Sequence, residues 1–194
     1  MPLSLLRRVN AAALIISVAT LVAGAQTLGT PERYSATAVN EPGRGATPIQ
    51  IAVDRWSTDK ERDALVSILR DNGADKLLEV LQDTPKVGFI RSTPGGLGWD
   101  LHYARKTPLP DGGERVILAT DRPLSFWEES RQSRTIDYPF TIIELRIAPN
   151  GEGEGKLSLA TKIIADKQSG TIVLEDYATQ PVLLMAVKKE NRST

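Results

Sequence analysis

Residues whose side chains could do chemistry crowd into one stretch of this chain, ATDRPLSFWEESRQSRTIDYPF, residues 119–140. It holds Asp121 beside Arg122, the aromatic pair Phe126 and Trp127, the acids Glu128 and Glu129, Arg131 and Arg134, and then Asp137-Tyr138-Pro139. A carboxylate pair about 5 to 10 Å apart can support glycoside hydrolysis, so Asp121, Glu128, Glu129 and Asp137 are its candidates. Acids and arginines on one exposed connection more often pair with one another, and nothing in the spacing fixes a working separation.

Other chemistries find less to work with. His102 is the single histidine and no Gly-x-Ser-x-Gly elbow exists, so a Ser-His-Asp arrangement has no recognisable nucleophile. Alternation about Trp99, Leu101 and Tyr103 puts His102 on the polar side of a strand, as a surface or cross-strand residue. No cysteine occurs, which excludes disulfides, thiolate metal sites, a cysteine nucleophile and a lipid-modified cysteine. Gly151-Glu-Gly-Glu-Gly-Lys156 imitates a phosphate loop, but Asn150 stands at a required glycine and Leu157 at the magnesium-binding hydroxyl. It reads as a solvated hairpin loop. Calcium at Glu152 and Glu154 lacks the six or more oxygens that ion needs. No cofactor and no metal are expected.

These residues must be positioned by something, and the chain divides accordingly. Residues 1–25 read as an export signal: Arg7 and Arg8, an apolar run from Ala11 to Val22, and Ala23-Gly24-Ala25 before a cleavage point. An uncleaved membrane anchor is the alternative, although the apolar run falls short of the roughly 20 residues a span requires. Residues 26–47, with Pro31, Pro42, Gly43 and Gly45, read as a flexible tether, and residues 48–190 as a single domain. The chain carries 24 basic and 24 acidic residues, and losing Arg7 and Arg8 leaves a small acidic excess. That balance gives no electrostatic reason to expect nucleic acid as a partner, nor membrane insertion after cleavage.

Within the domain, Ile49, Ile51 and Val53 share one face of a strand. Thr58 and Glu61 form a capping box for a helix from about Asp59, stopped at Asn72-Gly73, and a second helix runs from about Ala74 to Gln82. Strands follow at Val87–Arg91, 99–104, Glu114–Thr120, Phe140–Ala148, 156–163, Thr171–Tyr177 and Val182–Val187. Several are joined by the hairpin signals Pro110-Asp-Gly-Gly113, Asn150-Gly151 and Gln168-Ser-Gly170. The segment Val182–Met185 is apolar on both faces and reads as central or covered on both sides. The expected fold is α+β, an antiparallel β-meander forming a curved sheet or partly open barrel of about seven or eight strands, with two short N-terminal helices.

Among these strands the stretch 121–138 is too long for a hairpin loop, and with Phe140 it carries four of the ten aromatics. It is expected to fold back on the sheet, either as a packed loop closing one end or as a lid over a small-ligand or partner site. Candidate binding residues are Trp99, Tyr103, Asp121, Arg122, Phe126, Trp127, Asp137 and Tyr138.

The motifs Trp56-Ser-Thr-Asp with Glu61-Arg62, Val87-Gly-Phe-Ile-Arg91 and Leu101-x-Tyr103-Ala104 occur together here. They are joined by Ala119-Thr-Asp-Arg-Pro123, Asp137-Tyr-Pro-Phe140 and Gly151-x-Gly-x-Gly-Lys156. Over roughly residues 48–188 this set resembles a family of exported bacterial β-rich proteins with no assigned function. The resemblance implies export to a periplasmic or secreted location and nothing about mechanism. The reading is an exported, non-enzymatic domain that binds an apolar small molecule or a partner in or beside the sheet. An envelope-associated interaction protein without a pocket is the alternative, and a carboxylate-based hydrolase the third.

Overall fold

A computed structural model describes residues 29–39, 46–93, 96, 98–122, 140–165, 172–176 and 182–190. Its strands are β1 (Glu32–Val39), β2 (Thr47–Val53), β3 (Gly88–Ser92), β4 (Gly98–Leu101), β5 (Tyr103–Pro108), β6 (Glu114–Ala119), β7 (Phe140–Ile147), β8 (Glu152–Ala165), β9 (Ile172–Asp176) and β10 (Val182–Glu190). The helices are α1 (Asp59–Asn72) and α2 (Ala74–Asp83). The sheet runs β4-β3-β2-β1-β10-β8-β7-β6-β5, with β9 paired to the far part of β8, and every pairing is antiparallel.

The two ends of that order, β4 and β5, are consecutive in the chain and part only at His102, so the sheet is a nearly closed barrel. Segments flanking the helices stitch the remaining gap. Val87 N donates to Leu101 O (2.7 Å), Asp54 N to Val87 O (2.8 Å), and Ser57 N to Ala104 O (2.7 Å). Tyr34, Ile51, Ile90, Leu101, Leu118, Leu145 and Leu157 are fully buried and fill the interior, as the width of a barrel of this strand number allows.

Four expectations need correction, the first being the strand count, which is nine in the barrel with β9 beside it rather than seven or eight. The helices are not N-terminal, since β1 and β2 precede them. Residues 32–39 are not tether but a central strand between β2 and β10. Its inward residues are Tyr34, Ala36 and Ala38, and with two of the three alanine and Ser35 and Thr37 between them the strand shows little apolar alternation. The segment 99–104 is not one strand: the break at His102 reverses the alternation, so Ala104 rather than Tyr103 enters the barrel core.

The helices form where the capping chemistry places them. Thr58 Oγ1 accepts from Glu61 N (3.2 Å), the Glu61 carboxylate accepts from Thr58 N (2.6 Å), and Gly73 ends α1 with φ +86°. Leu69, Leu77 and Leu81 bury the pair against Ala119, Phe140 and Ile142, so the helices cover the outer wall of β5–β8. That is why the start of β7 is buried on both faces. Thr58→Ala should lower stability by about 1 kcal/mol, read from chemical denaturation, with no change in the folded spectrum.

The barrel wall is interrupted by a bulge in β10. Between Leu184 and Lys188 this strand has one residue more than either neighbour, and Ala186 lies there with φ +49°. The extra residue shifts the alternation, so Leu184 and Val187 both point inward. β10 is central, as expected, but not covered on both faces, because Met185 is 46% exposed.

Candidate functional site

The sequence-predicted residues meet the fold at the corner where β4 gives way to β5. His102 N donates to Ala119 O (2.9 Å), joining the break to the end of β6. The ring Nδ1 lies 2.7 Å from Thr84 O, the residue after α2. A carbonyl only accepts, so Nδ1 carries a proton and the ring is fixed in orientation. Nε2 then faces Asp121 Oδ1 across 3.6 Å, longer than a hydrogen bond. His102 is therefore buried, and the surface position expected from strand alternation is corrected.

Asp121 is only 7% exposed, and Arg122 engages both its oxygens, at 3.1 and 3.3 Å. The Arg122 side chain, 63% exposed, is the part of the pair that meets solvent. Asp121 holds the Arg122 pKa above its ordinary value through that hydrogen bond. Thr120 and Thr141 fasten this turn: Thr120 N donates to Thr141 O (3.1 Å), Thr141 N to Thr120 Oγ1 (3.2 Å), and both hydroxyls donate to Arg122 O. The two edges of the 123–139 connection are thus bonded to each other.

The other predicted residues are not brought to one place. Trp99 packs against the barrel core, while Tyr103 lies on the opposite side of the wall beneath the helices, where burial pushes its phenol pKa up. Phe126, Trp127, Asp137 and Tyr138 lie outside the described residues. At the corner, Nε2 faces a carboxylate rather than a hydroxyl, and the nearby threonine hydroxyls serve a carbonyl. A base directed at a nucleophile is the geometry acyl transfer needs, and this corner is built differently. His102→Ala should cost about 2 kcal/mol, because Thr84 O loses its donor; thermal unfolding would read it.

A second polar cluster went unread in the sequence. Glu32, Lys106, Glu114 and Lys189 come from four strands and close one end of the barrel. Lys106 Nζ lies 2.6 Å from Glu32 Oε1 and 3.5 Å from Glu114 Oε1. Lys189 Nζ is 3.1 Å from each of the same two acids. The buried Tyr34 hydroxyl donates to Glu32 Oε2 (2.5 Å), and burial, then this carboxylate, pushes the phenol pKa far up. Trp56 sits against the cluster, with Lys106 Nζ 5.0 Å from its ring centroid and its indole N–H donating to Thr30 O (3.0 Å). Each charge stands two residues from an inward apolar one, Tyr34, Ala104, Val116 and Val187, and that spacing was the available signal. Both cations are paired to both acids, so the cluster is a cross-barrel clasp rather than an open charge.

The class is thus a nearly closed, all-antiparallel barrel of nine strands with two helices on its wall. No family model, curated protein or solved structure matches the chain.

Proposed function

We propose that the protein is a non-enzymatic exported binding domain that engages its ligand or partner beside the barrel wall rather than inside it. The filled interior carries this reading. The inward side chains of the described strands pack against one another, and the clasp occupies one end. An apolar guest inside would have to displace them at the cost of a close-packed core. Native mass spectrometry of the protein purified without detergent tests it. The expected mass is that of the chain alone, and a stoichiometric lipid-like adduct overturns the exterior site.

The partner form of this reading, an envelope-associated interaction protein, has one observation in its favour. On the β1–β3 wall, away from the helices, Phe89 lies between Arg33 and Arg91, with guanidinium carbons 5.9 and 5.4 Å from the ring centroid. Aromatic and arginine side chains in contact are the composition that interface anchors favour.

A further inference from the structure

We propose that the groove where β1, β2 and β10 meet binds a short neutral saccharide of one or two rings. This rests on the exterior-binding reading and names its ligand class. The groove has a volume of about 360 Å³ and is lined by Ser35, Thr37, Gln50, Thr93, Ala186 and Glu190 among others. It lies on the wall that the helices leave uncovered, at the place where the extra residue of β10 interrupts its pairing with β1.

The lining decides the chemistry. Three hydroxyls, an amide and a carboxylate face the space, with no lysine or arginine among the described residues that line it. A phosphate or sulfate would find no cation among the lining residues and a carboxylate at Glu190, and an apolar molecule would strip water from five polar groups without replacing their hydrogen bonds. A sugar hydroxyl both donates and accepts, as the lining hydroxyls do. Gln50 Oε1 already accepts from Arg91 Nε (2.8 Å), which steadies the amide and leaves its N–H groups to donate. The Glu190 carboxylate suits adjacent ring hydroxyls, which can donate to its two oxygens together. The exposed ring of Pro48 and the methyl of Ala186 offer the apolar contact that ring C–H faces require.

Ala186 gives the groove its shape. It is the only non-glycine among the described residues with positive φ, in a region that costs an alanine free energy. The bulge also turns Val187 and Lys189 inward, so one local distortion serves both the clasp and the groove.

Titration of the ¹⁵N-labelled protein with maltose, cellobiose and N,N′-diacetylchitobiose, each to about 50 mM to reach millimolar dissociation constants, tests this by amide shifts. At least one sugar should give saturable shifts confined to Ser35–Thr37, Gln50, Thr93 and Ala186–Glu190. Glu190→Gln and Thr93→Val, each checked for an unchanged unfolding midpoint, should weaken that binding about tenfold or more. No saturable shift with any of the three sugars overturns the proposal. So do shifts centred elsewhere, or binding of putrescine in place of the sugars. None of these outcomes bears on the mass measurement that judges the exterior site itself.

Discussion

Gly153→Ala is expected to abolish the folded state. Gly153 and Gly155 lie on β8 opposite Ile147 and Leu145 of β7, in the alternation that brings Leu157 into the core. A Cβ on Gly153 would lie 2.0 Å from Arg146 O, and one on Gly155 would lie 2.6 Å from Glu144 O and 2.7 Å from a Leu145 methyl. Arg146 O is backbone in a paired strand and cannot rotate away, so β7 and β8 must separate where Leu145, Ile147 and Val187 pack. The expected loss exceeds about 4 kcal/mol, the range reserved for a disrupted core. Glu154→Ala, between the two glycines but on the exposed face, should change stability by less than about 0.5 kcal/mol. Urea denaturation of both proteins compares them directly. If Gly153→Ala matched Glu154→Ala, the close approach of β7 and β8 would be wrong.

Glu32→Gln should cost about 3 kcal/mol, because a carboxylate only 11% exposed would leave Lys106 and Lys189 sharing Glu114 alone. For a chain of this size that corresponds to roughly a 10 °C fall in Tm. The pH dependence separates lost charge from lost packing. Burial pushes the Glu32 pKa up, but the bonds from Lys106, Tyr34 and Lys189 outweigh it and hold it below the ordinary 4.5. A lowered carboxyl contributes stability that is fully present above 4.5 and is lost as pH falls through the folded value. At the basic side, burial lowers the Lys189 pKa, but bonds from Glu32 and Glu114 leave it above 10.5. Its contribution is present below 10.5 and is lost as pH rises through the raised value. Melting curves between about pH 7 and about pH 3 should therefore converge for parent and Glu32→Gln at the acid end. Parallel curves across that range would mean the clasp carries no charge-dependent stability.

What the sequence discloses is mostly local. The Thr58–Glu61 box, the Gly73 stop and the turns at Gly112 and Gly151, with φ of +82° and +83°, are set by a few adjacent residues and read correctly. Long-range features did not read so well. β1 is not legible locally because its inward alanines carry little apolar signal; its place is set by β2 and β10 on either side. His102 was misplaced because alternation assumes an unbroken strand, and the break exists only to let one strand end pair with β3 and the next with β6. Gly151-x-Gly-x-Gly reads wholly as a loop, yet only Gly151 is turn: β8 begins at Glu152, and its glycines answer a neighbouring backbone. At the corner, the pairing of Asp121 with Arg122 was legible from adjacency, while the Thr84 contact to His102 depends on where α2 ends.

The position of β10 between β1 and β8 has a consequence for how the chain reaches this structure. The other pairings join strands nearer in sequence and several are hairpins that can form early, although both helices lie between β2 and β3 and β9 lies between β8 and β10. β1 must wait for a partner well over a hundred residues downstream, and Glu32 for Lys189. Until β10 arrives, β1 and β8 each present an open edge, the kind of surface that recruits another chain. Ring closure is then the slow, non-local step of folding, and the interval before it is when the molecule is most exposed to aggregation.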